Sequence, residues 1–184
     1  DPREVLISKN NNQIRNLKTN SVIGTSSLRR EYQLKRIRND LKYKLIRGNV
    51  DTRIKKLNDD LYDAIILSYA GLKSLNIDEQ ISQIFSTQEI IPSVGQGVVA
   101  LQCRKNDKHT LDLLSKINHK KTSICVNAER YLLKVLEGDC ETAVGAFAYV
   151  ENDVINLNAE LFSIDGKQRF YHHSKKDIML SKEL

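Results

Sequence analysis

Ala64-Ile65-Ile66-Leu67, framed by Asp63 and Ser68, is the segment that most limits what this chain can fold into. A continuous apolar run bounded by polar residues marks a buried strand, and a short helix from Tyr69 to Leu75 follows it directly. The pattern also holds upstream. Glu4 to Ser8 reads as a short strand, and Ser21 to Gly24 as a second one running into Thr25-Ser26-Ser27. The spacing of Leu28, Tyr32, Leu34 and Ile37 then predicts a helix over 28–38, with Ser26 or Ser27 as its N-cap. Lys44 to Ile46 is another strand, followed by a helix over about 50–58. Strands alternating with helices through short connections predict a parallel-rich, doubly wound α/β domain over roughly residues 3–91.

Pro92-Ser93-Val94-Gly95-Gln96-Gly97 interrupts this alternation and reads as a hinge or tight crossing. Beyond it the pattern predicts a strand over Val98 to Cys103 and a helix from Lys108 to Ile117. A second helix, about Thr122 to Leu136, carries an apolar stripe at Ile124, Ala128, Tyr131, Leu132 and Val135, with Gly138 as its C-cap. Three strands follow, Ala143 to Val150, Val154 to Leu161 and Gln168 to His172, with turns at Glu151-Asn152-Asp153 and Asp165-Gly166. They predict a small α+β domain with a three-stranded antiparallel sheet from about residue 120.

The 184 residues suffice for one or two compact domains, and 40% hydrophobic with 28% charged residues is a globular composition. The apolar stretches are far too short to cross a bilayer, and no signal-peptide pattern is present, so a cytoplasmic protein is expected. The opening Asp1-Pro2-Arg3-Glu4 reads as the interior of a longer chain. Cys103, Cys125 and Cys140 share no metal-ligand or disulfide spacing. Cys103 and Cys125 fall in apolar or helical patterns, as small buried hydrophobes do; Cys140 instead follows the turn-forming Glu137-Gly138-Asp139. The four histidines have no metal spacing either.

Charge is unevenly placed. Between Arg29 and Lys56 eleven Lys or Arg residues face only Glu31, Asp40 and Asp51, which predicts a polyanionic partner. In Gly24-Thr25-Ser26-Ser27-Leu28-Arg29-Arg30 a strand delivers the chain into a helix N-terminus, where free N–H groups, hydroxyls and two guanidiniums favour an anion. Arg47-Gly48-Asn49-Val50-Asp51-Thr52-Arg53 repeats the arrangement at the next strand end. Carboxyl ends of parallel strands share one edge, so Arg29, Arg30, Arg47 and Arg53 are expected to converge on one cleft. The alternative for each arginine is a solvated surface position, as expected for Lys35, Arg36, Arg38, Lys42, Lys44, Lys55 and Lys56.

Seven motifs occur in an order that closely resembles the porphobilinogen deaminase (hydroxymethylbilane synthase) family. They are Ile23 to Arg30, Leu45 to Arg53, Tyr62 to Leu67, Ala70-Gly71-Leu72-Lys73, Val94-Gly95-Gln96-Gly97, Ala128-Glu129-Arg130 and Leu136-Glu137-Gly138-Asp139-Cys140. The resemblance runs over essentially the whole chain. It implies a transferase of porphyrin and heme biosynthesis that joins four porphobilinogen molecules head to tail, releasing ammonia, on a covalently bound dipyrromethane cofactor.

Cys140 matches the cysteine that carries this cofactor through a thioether, and a thiolate is a suitable nucleophile toward an activated pyrrole methylene. Arg29, Arg30, Arg47 and Arg53 match the family's carboxylate-binding positions, and Ser27, within the same motif, is expected to add a hydroxyl contact. The substrate and its growing oligomers are polycarboxylates; no nucleic-acid partner, no membrane and a monomer are expected. The resemblance also implies a periplasmic-binding-protein-like build for residues 1–92. Residues 93–119 would be a return segment of the family's first domain, and 120–184 a truncated third domain carrying Cys140.

Three departures stand out. No residue of this chain matches the family's catalytic aspartate and neighbouring lysine, which lie upstream of the matched region, so no catalytic residue is nominated and this polypeptide alone is expected to be inactive. Ser74 stands where the family commonly has arginine, and Asp139 replaces a glycine beside Cys140, where its charge should raise the thiol pKa. Two other functions compete. One is a non-enzymatic anion-binding module using the same arginines. The other, nucleic-acid binding through residues 29–56, has only Tyr32 and Tyr43 as stacking residues there.

Overall fold

The computed structural model describes residues 1–139 and 142–178. The unbroken apolar sequence of β4 (Ala64–Ser68) places it at the centre of a five-stranded sheet. The order is β3 (Lys42–Lys44), β2 (Val22–Gly24), β4, β1 (Glu4–Ser8), β5 (Gln83–Ile84). Period-two alternation sends neighbouring residues to opposite faces. On one face Leu6, Ile23 and Ile66 pack with Leu34 of α1 (Leu28–Ile37). On the other Val5, Ile7, Ile65 and Leu67 pack with Ile54 and Leu57 of α2 (Val50–Asn58) and Leu72 of α3 (Tyr69–Ser74). Each fully buried aliphatic side chain contributes about 1.5–3 kcal/mol relative to an exposed one.

Helices cover both faces as expected, but the sheet is mixed rather than parallel-rich. β2 runs parallel to β3 and β4, whereas β1 is antiparallel to both β4 and β5. Residues between β1 and β2 form two 3-10 turns, Lys9–Asn11 and Ile14–Asn16, and not the crossover helix that a parallel connection requires. The third strand also shifts, to Lys42–Lys44 from the expected 44–46; Ile46 turns into the core beyond it.

The expected strand over 98–103 does not form. Val98, Val99 and Leu101 are exposed, and no ladder partner lies beside them among the described residues. An apolar run becomes a strand only where a neighbour completes its hydrogen bonds. Helix α4 (Lys108–Ile117) forms at its expected bounds, with Asp107 accepting the Thr110 N–H at 3.0 Å, yet it buries no residue.

Helix α5 (Lys120–Val135) begins two residues earlier than expected. Its end is closed by Glu137 in the left-handed region (φ 51°), which donates to Lys134 O, while Gly138 donates to Leu133 O. The cap is therefore a Schellman pair with Glu137, not Gly138, in the left-handed position. The antiparallel sheet of β6 (Val144–Glu151), β7 (Val154–Phe162) and β8 (Arg169–Asp177) forms in that order, with α5 packed on β6. β8 runs five residues past its expected end. No helix among the described residues is long and apolar enough to cross a membrane.

Candidate anion-binding site

The three parallel strands β3, β2 and β4 end on one edge of the first sheet, and each hands the chain to a following helix. At the end of β2, Ser27 N donates to Thr25 Oγ1 at 3.1 Å, and Ser27 Oγ accepts the Arg30 N–H at 3.4 Å. Ser27 is thus the N-cap of α1. After β3, Gly48 takes a φ of +120°, a conformation that side chains resist, and a Cβ there would lie 2.8 Å from Thr52 Cγ2. That turn brings Asn49 to the N-cap of α2 with no side-chain bond to the helix. The first N–H groups of α2 are left open to an anion.

Arg30, Gly48, Asn49, Asp51, Arg53 and Ser68 help to line an open cleft of about 480 Å³ at this edge. Arg53 Nε donates to Gly48 O at 2.7 Å, which fixes its guanidinium beside the α2 N-terminus. Burial, and then the charge of Arg30, pull Arg53 down from its ordinary value, although an arginine in this setting stays charged. Arg30 Nε is buried with no hydrogen-bond partner, and its Nη1 lies 3.5 Å from Ile66 O. Arg30 is ion-paired on its buried side with Glu4 Oε2 at 2.8 Å, yet its Nε, the Arg53 guanidinium and the uncapped helix end remain as donors at this wall. Such a set suits a carboxylate or phosphate.

The other expected residues divide. Arg29 is 4% exposed, donating from Nη1 to Ile91 O at 2.8 Å and pairing through Nη2 with Glu4 Oε1 at 2.6 Å. The structure therefore does not bring Arg29 to the cleft; it ties α1 to β1 and to the chain at Ile91. The Arg47 side chain is exposed outside the cleft lining, and its carbonyl accepts from Lys56 Nζ at 2.9 Å. Ser74 Oγ donates back to Ala70 O at 2.8 Å and so is turned onto its own helix. Cys140 lies outside the described residues. Its neighbour Asp139 accepts from Thr142 N and Oγ1, both at 3.0 Å. Cys103 and Cys125 are half-buried. Burial, and then the Glu129 charge, push the Cys125 thiol up, which disfavours its thiolate.

Three residues escaped the sequence reading. Glu4 is completely buried and bridges Arg29 and Arg30; a lone acid opening an apolar strand was the signal for it. Burial opposes its ionisation, but Arg30 and Arg29 outweigh that and hold the carboxyl below the ordinary range. Asp51 lines the cleft from the first turn of α2, placing an acid among the basic groups. Glu129, within Ala128-Glu129-Arg130, accepts the Gly95 N–H at 2.7 Å and the Ala148 N–H at 2.8 Å, joining α5 to the 92–97 segment and to β6.

The family model described as porphobilinogen deaminase, dipyromethane cofactor binding domain, matches residues 1–112. The model described as porphobilinogen deaminase, C-terminal domain, matches residues 123–184. Among curated proteins, the porphobilinogen deaminase of Clostridium acetobutylicum is 42% identical over 97% of this chain and 59% of its own length. That of Brevibacillus brevis is 43% identical over 92% of this chain and 55% of its own. That of Coxiella burnetii is 44% identical over 91% and 54% respectively. The chain thus spans somewhat more than half the length of these relatives.

Proposed function

The chain belongs to the porphobilinogen deaminase family, and on that premise we propose that it is the cofactor- and substrate-binding part of a hydroxymethylbilane synthase of porphyrin biosynthesis. In this reading the cleft binds the acetate and propionate groups of porphobilinogen and of its linear oligomers. Arg30, Arg53 and the open N-terminus of α2 are the groups that hold them. The observation that carries the reading is the convergence of these donors where three parallel strands end, together with the buried, unpartnered Nε of Arg30. Each charge-assisted hydrogen bond there contributes about 1.5–3 kcal/mol.

The donor set fits a dipyrromethane, whose rings each carry two carboxylates. Cys140 is the residue proposed to hold it by thioether. When bound, that group supplies the terminal pyrrole carbon on which the chain of rings is built. Arg30 and Arg53 then orient carboxylates, and Ser27 serves by fixing the start of α1. Arg29 acts at one remove, through Glu4, and Arg47 stands in the solvent, within reach of longer oligomers.

In domain terms, residues 1–92 form the binding domain, of periplasmic-binding-protein-like build, and 93–119 are a return segment of the family's first domain. Residues 120–184 belong to the third, the domain with Cys140. The exposed Val98, Val99 and Leu101, with the exposed Leu113 and Ile117 four residues apart on α4, support the return-segment reading, since they are apolar side chains that the described residues leave uncovered. The protein is read as cytoplasmic and monomeric. No residue of the chain matches the family's catalytic aspartate, so the 184-residue polypeptide is not expected to consume porphobilinogen.

Intact-mass measurement after incubation with porphobilinogen tests the covalent part. An added dipyrromethane mass that Cys140→Ser abolishes is the expected result. An unmodified chain that still binds tricarboxylates would leave a non-covalent anion-binding module as the reading. Porphobilinogen consumption by the purified chain would overturn the expected inactivity.

A further inference from the structure

Glu4 owes its position to the reversed direction of β1. Because β1 runs antiparallel to β4, Glu4 pairs with Ser68, and the start of one strand meets the end of the other at the edge of the cleft. Alternation puts Glu4 on the face of Leu6, toward α1. There its oxygens divide between neighbours in sequence: Oε1 lies 2.6 Å from Arg29 Nη2, and Oε2 lies 2.8 Å from Arg30 Nη2.

The two arginines are not held alike. Arg29 has a second anchor at Ile91 O, 2.8 Å away. Beyond its ion pair with Glu4 Oε2, which lacks hydrogen-bond geometry, Arg30 has the long contact to Ile66 O, at 3.5 Å, and an unpartnered Nε. It is also repelled by the charges of Arg29 and Arg53, each of which in turn feels Arg30. Like charges this close separate unless a counter-charge holds them. Glu4 is that counter-charge, and the three groups still sum to one positive charge.

We propose that Glu4 is a positioning residue of the cleft: its carboxylate, braced by Arg29, holds the Arg30 guanidinium at the cleft wall for an incoming ligand carboxylate. This rests on the carboxylate-binding reading above. It makes a prediction opposite in sign to simple electrostatics. Removing a negative charge beside an anion site strengthens anion binding if only the field matters. If Glu4 positions Arg30, removing it weakens binding.

The test is calorimetric titration of the 184-residue chain with propane-1,2,3-tricarboxylate at low salt, folding being checked by circular dichroism. Glu4→Gln is expected to weaken binding about tenfold or more, the loss that one charge-assisted contact represents. Glu4→Asp, one methylene shorter, is expected to fall between Glu4→Gln and the native chain, and it serves as the test if Glu4→Gln does not fold. In an Arg30→Gln background, Glu4→Gln should add nothing further, which a general loss of structure would not reproduce. Either Glu4 variant, folded and binding as tightly as the native chain or more tightly, overturns the proposal. If Arg30→Gln and Arg53→Gln both leave binding unchanged, the cleft reading itself fails. If they weaken it and Glu4→Gln does not, only the role of Glu4 fails.

Discussion

The ring of Tyr32 lies so close to the α-carbon of Gly166 that a Cβ there would fall 2.4 Å from Tyr32 Cε1. Tyr32 stands on α1, the helix whose first turn holds Arg29 and Arg30, while Gly166 belongs to the β7–β8 turn. The Tyr32 hydroxyl donates to Ile164 O at 2.7 Å, and its ring packs on Phe162 with centroids 5.6 Å apart. Glu160 strengthens the same contact by pairing with Arg36 of α1 at 3.0 Å and with Arg169 of β8. The C-terminal sheet thus grips the helix that sets one wall of the cleft.

Gly166 also has a φ of +70°, so Gly166→Ala meets both backbone strain and the Tyr32 ring. A loss of about 2–4 kcal/mol is expected in urea unfolding. Tyr32→Phe, which loses only the hydroxyl bond, should cost about 1 kcal/mol. An alanine variant with an unchanged midpoint would contradict the close packing.

At the cleft, Arg53 and Asp51 should act in opposite directions. Arg53→Gln is expected to weaken tricarboxylate binding about tenfold, and Asp51→Asn to strengthen it about twofold to fivefold. Both effects should shrink as salt is raised, because exposed charges are screened over about 10 Å at 0.1 M ionic strength. Calorimetric titration at two salt concentrations checks magnitude and sign together.

Two buried glutamates should give opposite pH signatures. Glu4 is held below the ordinary carboxylate range, so its folded pKa lies under its unfolded one. Its contribution to stability is full above about pH 5 and is lost as the pH falls through the folded value. Glu129 is pushed up by burial, against the Ala148 and Gly95 N–H bonds. Its contribution is full below about pH 4 and is lost as the pH rises through the folded value. The stability difference between the native chain and Glu4→Gln should therefore grow as the pH rises from acid, while that for Glu129→Gln should shrink. Thermal unfolding across pH 3–7 reads both slopes, and slopes of the same sign would refute the assignment.

Exposed and buried apolar residues should separate cleanly. Val99 is 85% exposed and Ile66 is fully buried. Val99→Ser should change stability by less than about 0.5 kcal/mol, whereas Ile66→Ala should cost about 2–5 kcal/mol. A large loss at Val99 in the isolated chain would show that residues 98–103 pack after all.

What depended on neighbours in sequence was legible in the sequence itself. Helices α2 and α4 keep their expected bounds, Ser27 caps α1, β4 is buried, and the turns at 151–153 and 165–166 fall where Asn, Asp and Gly stand. Caps, turns and periodicity act over a few residues, so the local sequence suffices for them. The motifs Gly24 to Arg30 and Arg47 to Arg53 likewise marked the segments that bring Arg30 and residues 48–53 to the cleft. Tertiary structure alone decided which arginine faces which environment. Arg29 and Arg30 are adjacent and chemically identical, yet successive helical residues point about 100° apart, and only Arg30 reaches the cleft. The direction of β1, which brings Glu4 to that edge, and the failure of 98–103 to pair were likewise set by strands distant in sequence. Hydrogen-bond pairing and burial are properties of what lies opposite a residue, and no local pattern carries that information.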